Sequence, residues 1–353
     1  MHEIATRAGV GKATVSLALR DDPRLRAETR QRIQRLAAKM GYRTNATVSN
    51  LMAQLRASRD PRYHANLGLL NTSSDPKALT ACVTAREWVS GCRERAAQLG
   101  YGLETFWLHE PRLEPAQLAS LLESRNIRGL AVSPLLDRAA LPAHFDAIWQ
   151  RFACVVVGLR PAWPPLNFSS NDQFSTAFLA VQELARRGYR RIGLVLSREI
   201  DAGVERRYSA GFRAGREAAG AARTAPVFPF QRGGQAAFRA WYQQHKPDAI
   251  LTLHEEIKPW AEAMGLRVPG DVALAHLDRA SSLPEWSGMD QNHVRTGAAA
   301  IDMLVGKLHR NETGIPECPS ASFIQSTWID GGTTRPTVAE PMAANADLET
   351  ALA

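Results

Sequence analysis

Cysteine is scarce in this chain. Cys82, Cys92, Cys154 and Cys318 are the only four in 353 residues. They are scattered, with no CxxC or Cys/His ligand spacing, which excludes a disulfide framework and a zinc site and leaves reduced core or surface thiols. Long apolar runs are also missing. None approaches the roughly eighteen residues of a membrane span, and the amino terminus has no uninterrupted apolar stretch of signal-peptide type, so the chain is expected in the cytoplasm with no membrane partner. No GxGxxG follows a strand, and there is no Walker loop, GxSxG or HExxH, so nothing supports an enzyme, a cofactor or a resident metal. Finally, most of the chain has no charge excess. Residues 64–353 carry 30 basic and 30 acidic side chains, whereas residues 1–63 carry 13 against 5, which is the whole net charge of +8. A surplus confined to one small segment is the footprint of a nucleic-acid-binding head on a neutral body.

That segment reads as three short helices. Glu3 to Ala8 places Ile4, Ala5 and Ala8 on one side, and Gly9-Val10-Gly11 allows a sharp turn. Lys12 to Leu19 then directs Val15, Ala18 and Leu19 inward and leaves Lys12, Ala13, Ser16 and Leu17 outward. Helix, glycine-containing turn, helix is the helix-turn-helix arrangement, whose second helix reaches base edges in the major groove. Thr29 to Met40 supplies a third helix through Ile33, Leu36, Ala37 and Met40, with Gly41 as its stop.

Glu3-Ile4-Ala5, Ala8-Gly9-Val10, Ala13-Thr14-Val15-Ser16, Leu19, Arg26 to Arg35 and Gly41-Tyr42-Arg43-Thr44-Asn45 together resemble the DNA-binding head of lac-repressor (LacI/GalR) type transcription regulators. The resemblance implies a head at 1–45 and a hinge at 46–62 that becomes helical on the operator, with Leu51 at the position that wedges into the minor groove. Leu51, Met52 and Leu55 form an apolar stripe too small to be stable alone, so ordering on binding is reasonable. An ordinary contact between linker and core is the alternative. Lys12 and an apolar touch from Ala13 or Leu17 are expected at base edges, Thr14 and Ser16 at phosphates, with Arg43 and Asn45 joining the contacts. Three features depart from the pattern: the chain starts almost inside its first helix, so Met1 could be a misassigned start; Gly11 stands where a capping Ser is usual; and Leu17 stands where an Arg often reads guanine.

Beyond Asn66, short apolar runs alternate with amphipathic helices. Leu67–Leu70, Leu103–Leu108, Gly129–Ser133, Cys154–Leu159, Arg191–Leu196, Ala249–Leu253 and Val272–Leu277 read as strands. The clearest helix is Gln173 to Arg187, with Phe174, Ala177, Phe178, Val181, Leu184 and Ala185 on one face. Strands alternating with crossover helices predict an α/β body of two doubly wound parallel-sheet lobes, with ligands outside the carboxyl ends of the strands.

The resemblance continues through Ser170-Asn171-Asp172, Arg187 to Gly193, Arg207 to Phe212, Gly265 to Val272 and Asp278. It implies a periplasmic-binding-protein-like body at 63–331 with three crossings between lobes, near Ser170, Gln291 and Ala321. Lobe one is then about 63–170 with 291–320, and lobe two about 171–290 with 321–331. Asp172, Arg207 and Asp278 match the effector contacts of relatives that bind sugars or purines, and the set suits a polyol, since carboxylates accept from paired hydroxyls while a guanidinium donates in a fixed fork. Asn71, Gln291 and His254 complete the expected site. Each has a plainer reading: Asp172 as a helix cap, Arg207 as a surface side chain one residue out of place, Asp278 as a strand-end turn, and His254-Glu255-Glu256 as a solvated loop. The tail from Gly332 onward, rich in Pro, Ala and acid, is expected to be disordered.

These readings converge on a homodimeric regulator of a pseudo-palindromic operator, probed by a small-molecule effector of carbohydrate type. A cytoplasmic solute sensor whose degenerate head no longer binds DNA is the alternative.

Overall fold

A computed structural model describes residues 2–19, 25–40, 65–111, 113–133, 141–220 and 225–336. The chain divides into two compact units, Met1–Ser170 with His293–Phe323 and Asn171–Asn292 with Ile324–Ala353. It therefore passes between them after Ser170, Asn292 and Phe323.

The head at the start of the first unit has α1 (His2–Ala8), α2 (Lys12–Leu19) and α3 (Ala27–Lys39). Ile4, Ala5, Ala8, Val15, Ala18, Ile33 and Ala37 form its core, with Val10, Leu25, Leu36 and Met40 packed at the margin. So small a core is helped by polar ties.

The first unit's sheet contains β1 (Ala65–Asn71), β2 (Tyr101–Trp107), β3 (Gly129–Ser133), β4 (Ala153–Val157), β5 (Asn167–Asn171) and β11 (Ala321–Ile324), in the order β11-β5-β4-β3-β1-β2. The second sheet contains β6 (Ile192–Leu196), β7 (Phe228–Pro229), β8 (Ala249–Thr252), β9 (Ala273–His276), β10 (Ser287–Asp290) and β12 (Thr327–Ile329), in the order β12-β10-β9-β8-β6-β7. Pairing is parallel from β2 through β5 and from β7 through β10, and β12 runs antiparallel to β10. β3, β4, β6 and β8 are buried along their whole length, which is why their sequences are nearly continuous apolar runs. In both sheets the strand order reverses on either side of one strand pair, β1/β3 in the first and β6/β8 in the second. Crevices of doubly wound sheets open at such points.

Helices α4 (Ala78–Ala81), α5 (Val83–Gln98), α6 (Pro115–Ser124), α7 (Asp146–Arg151) and α13 (His293–Arg310) cover the first sheet. Helices α8 (Gln173–Arg186), α9 (Arg198–Gly203), α10 (Arg207–Ala218), α11 (Gln235–His245) and α12 (Ile257–Glu262) belong to the second. α6 starts where Pro115 follows Glu114, with a reciprocal capping box between Glu114 and Gln117. In each unit one helix pair meets backbone to backbone. A Cβ on Gly211 of α10 would run into the carbonyl oxygen of Phe174 in α8, and one on Gly91 of α5 would run into that of Val294 in α13.

That close crossing corrects the reading of α8. Phe174 is 38% exposed and stacks on Phe178 at the helix margin, with ring centroids 6.4 Å apart. The buried stripe runs instead through Gln173, Thr176, Ala177, Ala180, Val181 and Leu184. With the backbones of Phe174 and Phe178 lying against Gly211 and Gly215, the two large rings have no room inside. A second correction concerns the tail. Residues 332–336 are tied to the second unit: the Thr333 hydroxyl donates to the Leu274 carbonyl at 2.6 Å, Thr334 bonds Ser287, and the Arg335 amide donates to the Tyr189 hydroxyl. The rest of the tail, 337–353, lies outside the described residues.

Cys92 and Cys154 are buried, Cys82 and Cys318 exposed, and all four are free thiols. Burial pushes the Cys92 and Cys154 thiols up to about 12, so neither is a nucleophile near neutrality. Among the described residues no helix is long and apolar enough to cross a membrane.

Candidate functional site

In the head, α3 fixes the ends of the other two helices. Arg32 donates through Nη2 to the carbonyl of Ala8 at 3.1 Å, and Gln34 donates through Nε2 to the carbonyl of Ala18 at 2.9 Å. Each supplies a donor to a helix carboxyl end, where carbonyls lack intrahelical partners. Gly9 takes φ +66° in the turn, and the Val10 amide donates back to Ala5, setting the step into α2. Val15 and Ala18 are wholly buried, while Thr14 and Leu17 on other faces of α2 are half-buried. Thus the small core holds α2 through Val15 and Ala18. The side chains of Lys12, Ala13 and Ser16, and the whole of Arg43, Asn45 and Leu51, lie outside the described residues.

In the second unit, His254 follows β8 and Asp278 follows β9, while Asp172 follows β5 and opens α8, and Arg207 opens α10. Asp172 caps α8, accepting from the Ser175 amide at 3.2 Å and the Ser175 hydroxyl at 2.6 Å. It also accepts from Arg207 Nη2 at 3.3 Å. The plainer reading of Asp172 as a helix cap is therefore present, and the carboxylate is also paired with Arg207. The glycine crossing of α8 and α10 brings this about, because it sets the start of α10, where Arg207 stands, beside the start of α8. Glu205 and Arg206 reach that point in left-handed backbone conformations, φ +56° and +59°, a costly arrangement for side chains with a Cβ. Asp201 holds the corner, its carbonyl accepting from the Arg206 amide at 2.6 Å and its carboxylate from the Ser209 amide at 3.1 Å.

His254 follows β8, at the switch point with β6. Its Nε2 accepts from the Ser197 amide at 3.1 Å, so the ring proton of the neutral form sits on Nδ1. The ring stacks on Phe230, centroids 3.6 Å apart and 9° from parallel, and Phe230 stacks in turn on Trp260 at 5.4 Å. Burial lowers the His254 pKa to about 4, against the opposing pull of the Glu256 carboxylate. The loop at 254–256 is thus built around a neutral, fixed histidine.

Sequence reasoning missed two neighbours. His276, the last residue of β9, is 5% exposed and lies edge-on to Trp286, centroids 5.5 Å apart. Its Nδ1 accepts from the Asp278 amide at 3.1 Å, and burial lowers its pKa, opposed by the Asp278 charge. The available signal was a titratable residue two positions before Asp278 inside a strand otherwise apolar. Tyr208 is buried beside Arg207. Its hydroxyl accepts from Gln291 Nε2 at 2.6 Å, and burial with the Asp278 and Asp201 charges pushes its pKa far up.

Two expected site residues turn inward. Gln291 is 2% exposed and uses its amide nitrogen on Tyr208 and the Leu277 carbonyl, so it positions Tyr208. Asn71, in the first unit, donates to the carbonyls of Asp75 and Pro76 at 3.0 and 3.2 Å and accepts from the Ser73 amide at 3.0 Å. Its amide is occupied by the loop after β1. Among the described residues, no three His, Cys, Asp or Glu side chains come together to hold a metal ion.

Comparison with known proteins agrees with both halves of this picture. Residues 1–45 match the model of bacterial regulatory proteins of the lacI family, and residues 181–334 match a periplasmic binding protein-like domain. The chain is 24% identical over 326 residues to the HTH-type transcriptional repressor PurR of Klebsiella pneumoniae, covering 87% of this chain and 90% of that one. It is 26% identical over 328 residues to the HTH-type transcriptional regulator PtxS of Pseudomonas putida, covering 89% and 90%. Among solved structures, the transcriptional regulator CelR in complex with cellobiose superposes with a TM-score of 0.57 at 20% identity, covering 94% of this chain and 98% of that one. The lac repressor dimer bound to operator and an anti-inducer gives 0.55 at 17%, with the same coverage. The chain belongs to the LacI family of DNA-binding transcriptional regulators, with a helix-turn-helix head and an effector-binding body of two α/β lobes.

Proposed function

We propose that this protein is a cytoplasmic, homodimeric repressor whose affinity for a pseudo-palindromic operator is set by a small effector, a sugar or related polyol. The observation that carries this reading is the construction of the head: α3 caps both other helices and packs with Val15 and Ala18 of α2, the arrangement of a helix-turn-helix whose second helix reads DNA. In this reading residues 1–45 contact DNA through Lys12, Ala13, Thr14, Ser16 and Leu17, helped by Arg43 and Asn45. Residues 46–62 are the hinge, and Leu51 is its minor-groove wedge. With Leu17 on α2, base readout rests on Lys12 and on apolar contact with a thymine methyl, and the local charge of +8 supplies affinity more than specificity.

The effector is taken by Asp172 at the start of α8, Arg207 at the start of α10, and His254 and Asp278 after β8 and β9. The name of CelR's cellobiose complex and the names of the repressor relatives support this class of function. Control follows as a population shift, the effector favouring one of two arrangements of the body and hence of the paired heads.

A gel shift on a palindrome selected from a random library, repeated across salt, tests the reading. Steep loss of affinity with rising salt is expected. Leu51→Ala should weaken operator binding at least tenfold and reduce DNA bending while leaving effector affinity intact. Absence of any selected sequence would instead favour the solute sensor with a head that no longer binds DNA.

A further inference from the structure

Within the second unit, the three places where the chain enters or leaves it are tied to one another. The unit is Asn171–Asn292 with Ile324 onward, so those places are Asn171, Asn292 and Ile324. Asn171 follows the first crossing, and its Nδ2 donates to the carbonyl of Gln291, next to the second. Asn292, at the second crossing, donates through Nδ2 to the Gln325 carbonyl at 3.0 Å and to the Thr327 hydroxyl at 3.4 Å, both just past the third. The third crossing returns to the first by two routes. The Asp172 amide donates to the Ile324 carbonyl at 3.0 Å, and the Thr176 and Ser326 hydroxyls meet at 2.6 Å. Thr176 uses its own proton on the Asp172 carbonyl at 2.7 Å, so Ser326 donates in that contact. The links run first to second, second to third and third to first, which closes a ring.

Four members of the ring are withdrawn from water: Asn171, Thr176, Gln291 and Ser326 are each 7% exposed or less. In such surroundings hydrogen bonds are strong and their loss is costly. Asn292 is held in the left-handed region at φ +55°, its amide donating to Asp290 Oδ1 at 2.8 Å, a conformation that Asn tolerates better than most side chains. Two corners of the ring also touch the effector residues. Asp172 gives its amide and carbonyl to the ring while its carboxylate pairs with Arg207. Gln291 gives its carbonyl to the ring and its Nε2 to Tyr208, the residue after Arg207. A ligand that displaces Asp172 or Arg207 therefore acts on bonds that reach all three crossings.

Resting on the effector-binding reading above, we infer that this ring makes the three crossings one mechanical element, through which effector occupancy at Asp172 and Arg207 reaches the rest of the chain as a single two-state change. Asn171 and Asn292 are its positioning residues, each supplying one link without taking the ligand. A closed ring differs from three separate ties in one respect: breaking any link loosens the others, so the effect appears on the far side of the ring from the change.

Asn292→Gly in the full-length protein tests this. Glycine accepts the left-handed backbone, so the fold is kept while the link to Gln325 and Thr327 is lost. Amide hydrogen exchange at Asp172, a link the substitution does not touch, should quicken roughly tenfold or more, with Leu194 inside β6 unchanged as the marker of global opening. Unaltered exchange at Asp172 overturns the inference, and so does equal acceleration at Leu194, which reports only lost stability. Ser326→Ala should produce the same change at Asp172, and the two substitutions together little more than either alone. Effects that multiply would show independent ties and also overturn it. In the operator gel shift, with no ligand added, Asn292→Gly should alter affinity roughly threefold or more, because the free body redistributes between its two arrangements. An affinity equal to that of the wild type overturns the coupling to DNA. Should the wild type bind no operator, the regulator reading fails, while exchange at Asp172 still decides whether the ring acts as one element.

Discussion

The two sheets share one strand order, and the contrast between their carboxyl edges is chemical. At the β1/β3 switch point of the first unit, Asn71 bonds its own loop on both sides of its amide, and Ser133 offers one buried hydroxyl without a partner. At the β6/β8 switch point of the second, a tautomer-fixed His254 sits between Ser197 and Phe230 within reach of the buried His276, and the Asp278 charge acts on both His276 and the buried Tyr208. Topology supplies a crevice in both places. What differs is whether polar groups serve the local backbone or stay in costly environments, and the second pattern is the one expected where a ligand acts.

The largest effect that would break this comparison is on the helix crossings. Gly211→Ala drives a Cβ into the Phe174 carbonyl and should cost about 1–3 kcal/mol or more in denaturant unfolding, as should Gly91→Ala against Val294. Only the Gly211 change should also impair effector binding, because only that crossing sets Arg207 beside Asp172. Equal binding losses in both variants would show that the crossings act merely through global stability.

Asn71→Ala comes next. It leaves two loop carbonyls and the Ser73 amide without their buried partner and should cost about 1–3 kcal/mol, read from thermal unfolding, with effector affinity held within twofold. A loss of affinity without loss of stability would return Asn71 to the effector contacts.

A smaller, pH-dependent effect belongs to the second edge alone. The fold favours neutral His254, lowering its pKa from 6.5 to about 4, so the unfolded chain takes the proton first. Stability from this group is complete above pH 6.5 and is lost as pH falls toward 4, when Nε2 can no longer accept from Ser197. His276, lowered in the same direction by burial, adds to the slope. Unfolding midpoints measured across that range should fall more steeply in the wild type than in His254→Phe; parallel slopes would place the titration on the carboxylates.

The smallest effect is that of Arg207→Ala on stability. Its pair with Asp172 is 29% and 22% exposed, and partly solvated pairs contribute no more than about 1 kcal/mol. Effector affinity should change much more than the unfolding midpoint, and a reversed ratio would make the pair structural.

Much of the architecture was legible in residue order. The seven strands read from apolar runs are all present: strands buried along their length, such as β3, β4, β6 and β8, have no choice of composition, and the half-buried edge strand β2 still carries Leu103 and Phe106. β5, β7, β10, β11 and β12 were not read, because Asn167 to Asn171, Ser287 to Asp290 and the short edge segments are strands only through the neighbours they pair with. Gly288 illustrates the point. Any side chain there would strike the backbone of His276, a requirement that is invisible along the chain.

Site residues divide in the same way. Asp172 pairs with Arg207, and His254 and Asp278 follow neighbouring strands of the second sheet, whereas Gln291 and Asn71 have their amides engaged elsewhere, and Tyr208 and His276 were overlooked. By itself the sequence determined what is local or periodic: a basic head with helical spacing and a glycine turn, and a body of buried strands alternating with helices. Only the tertiary structure decided which face of α8 is buried, which amides are occupied and which imidazole nitrogen carries a proton. Those outcomes depend on groups far apart in the chain, where hydrogen-bond geometry and desolvation act between elements and residue order carries no record of them.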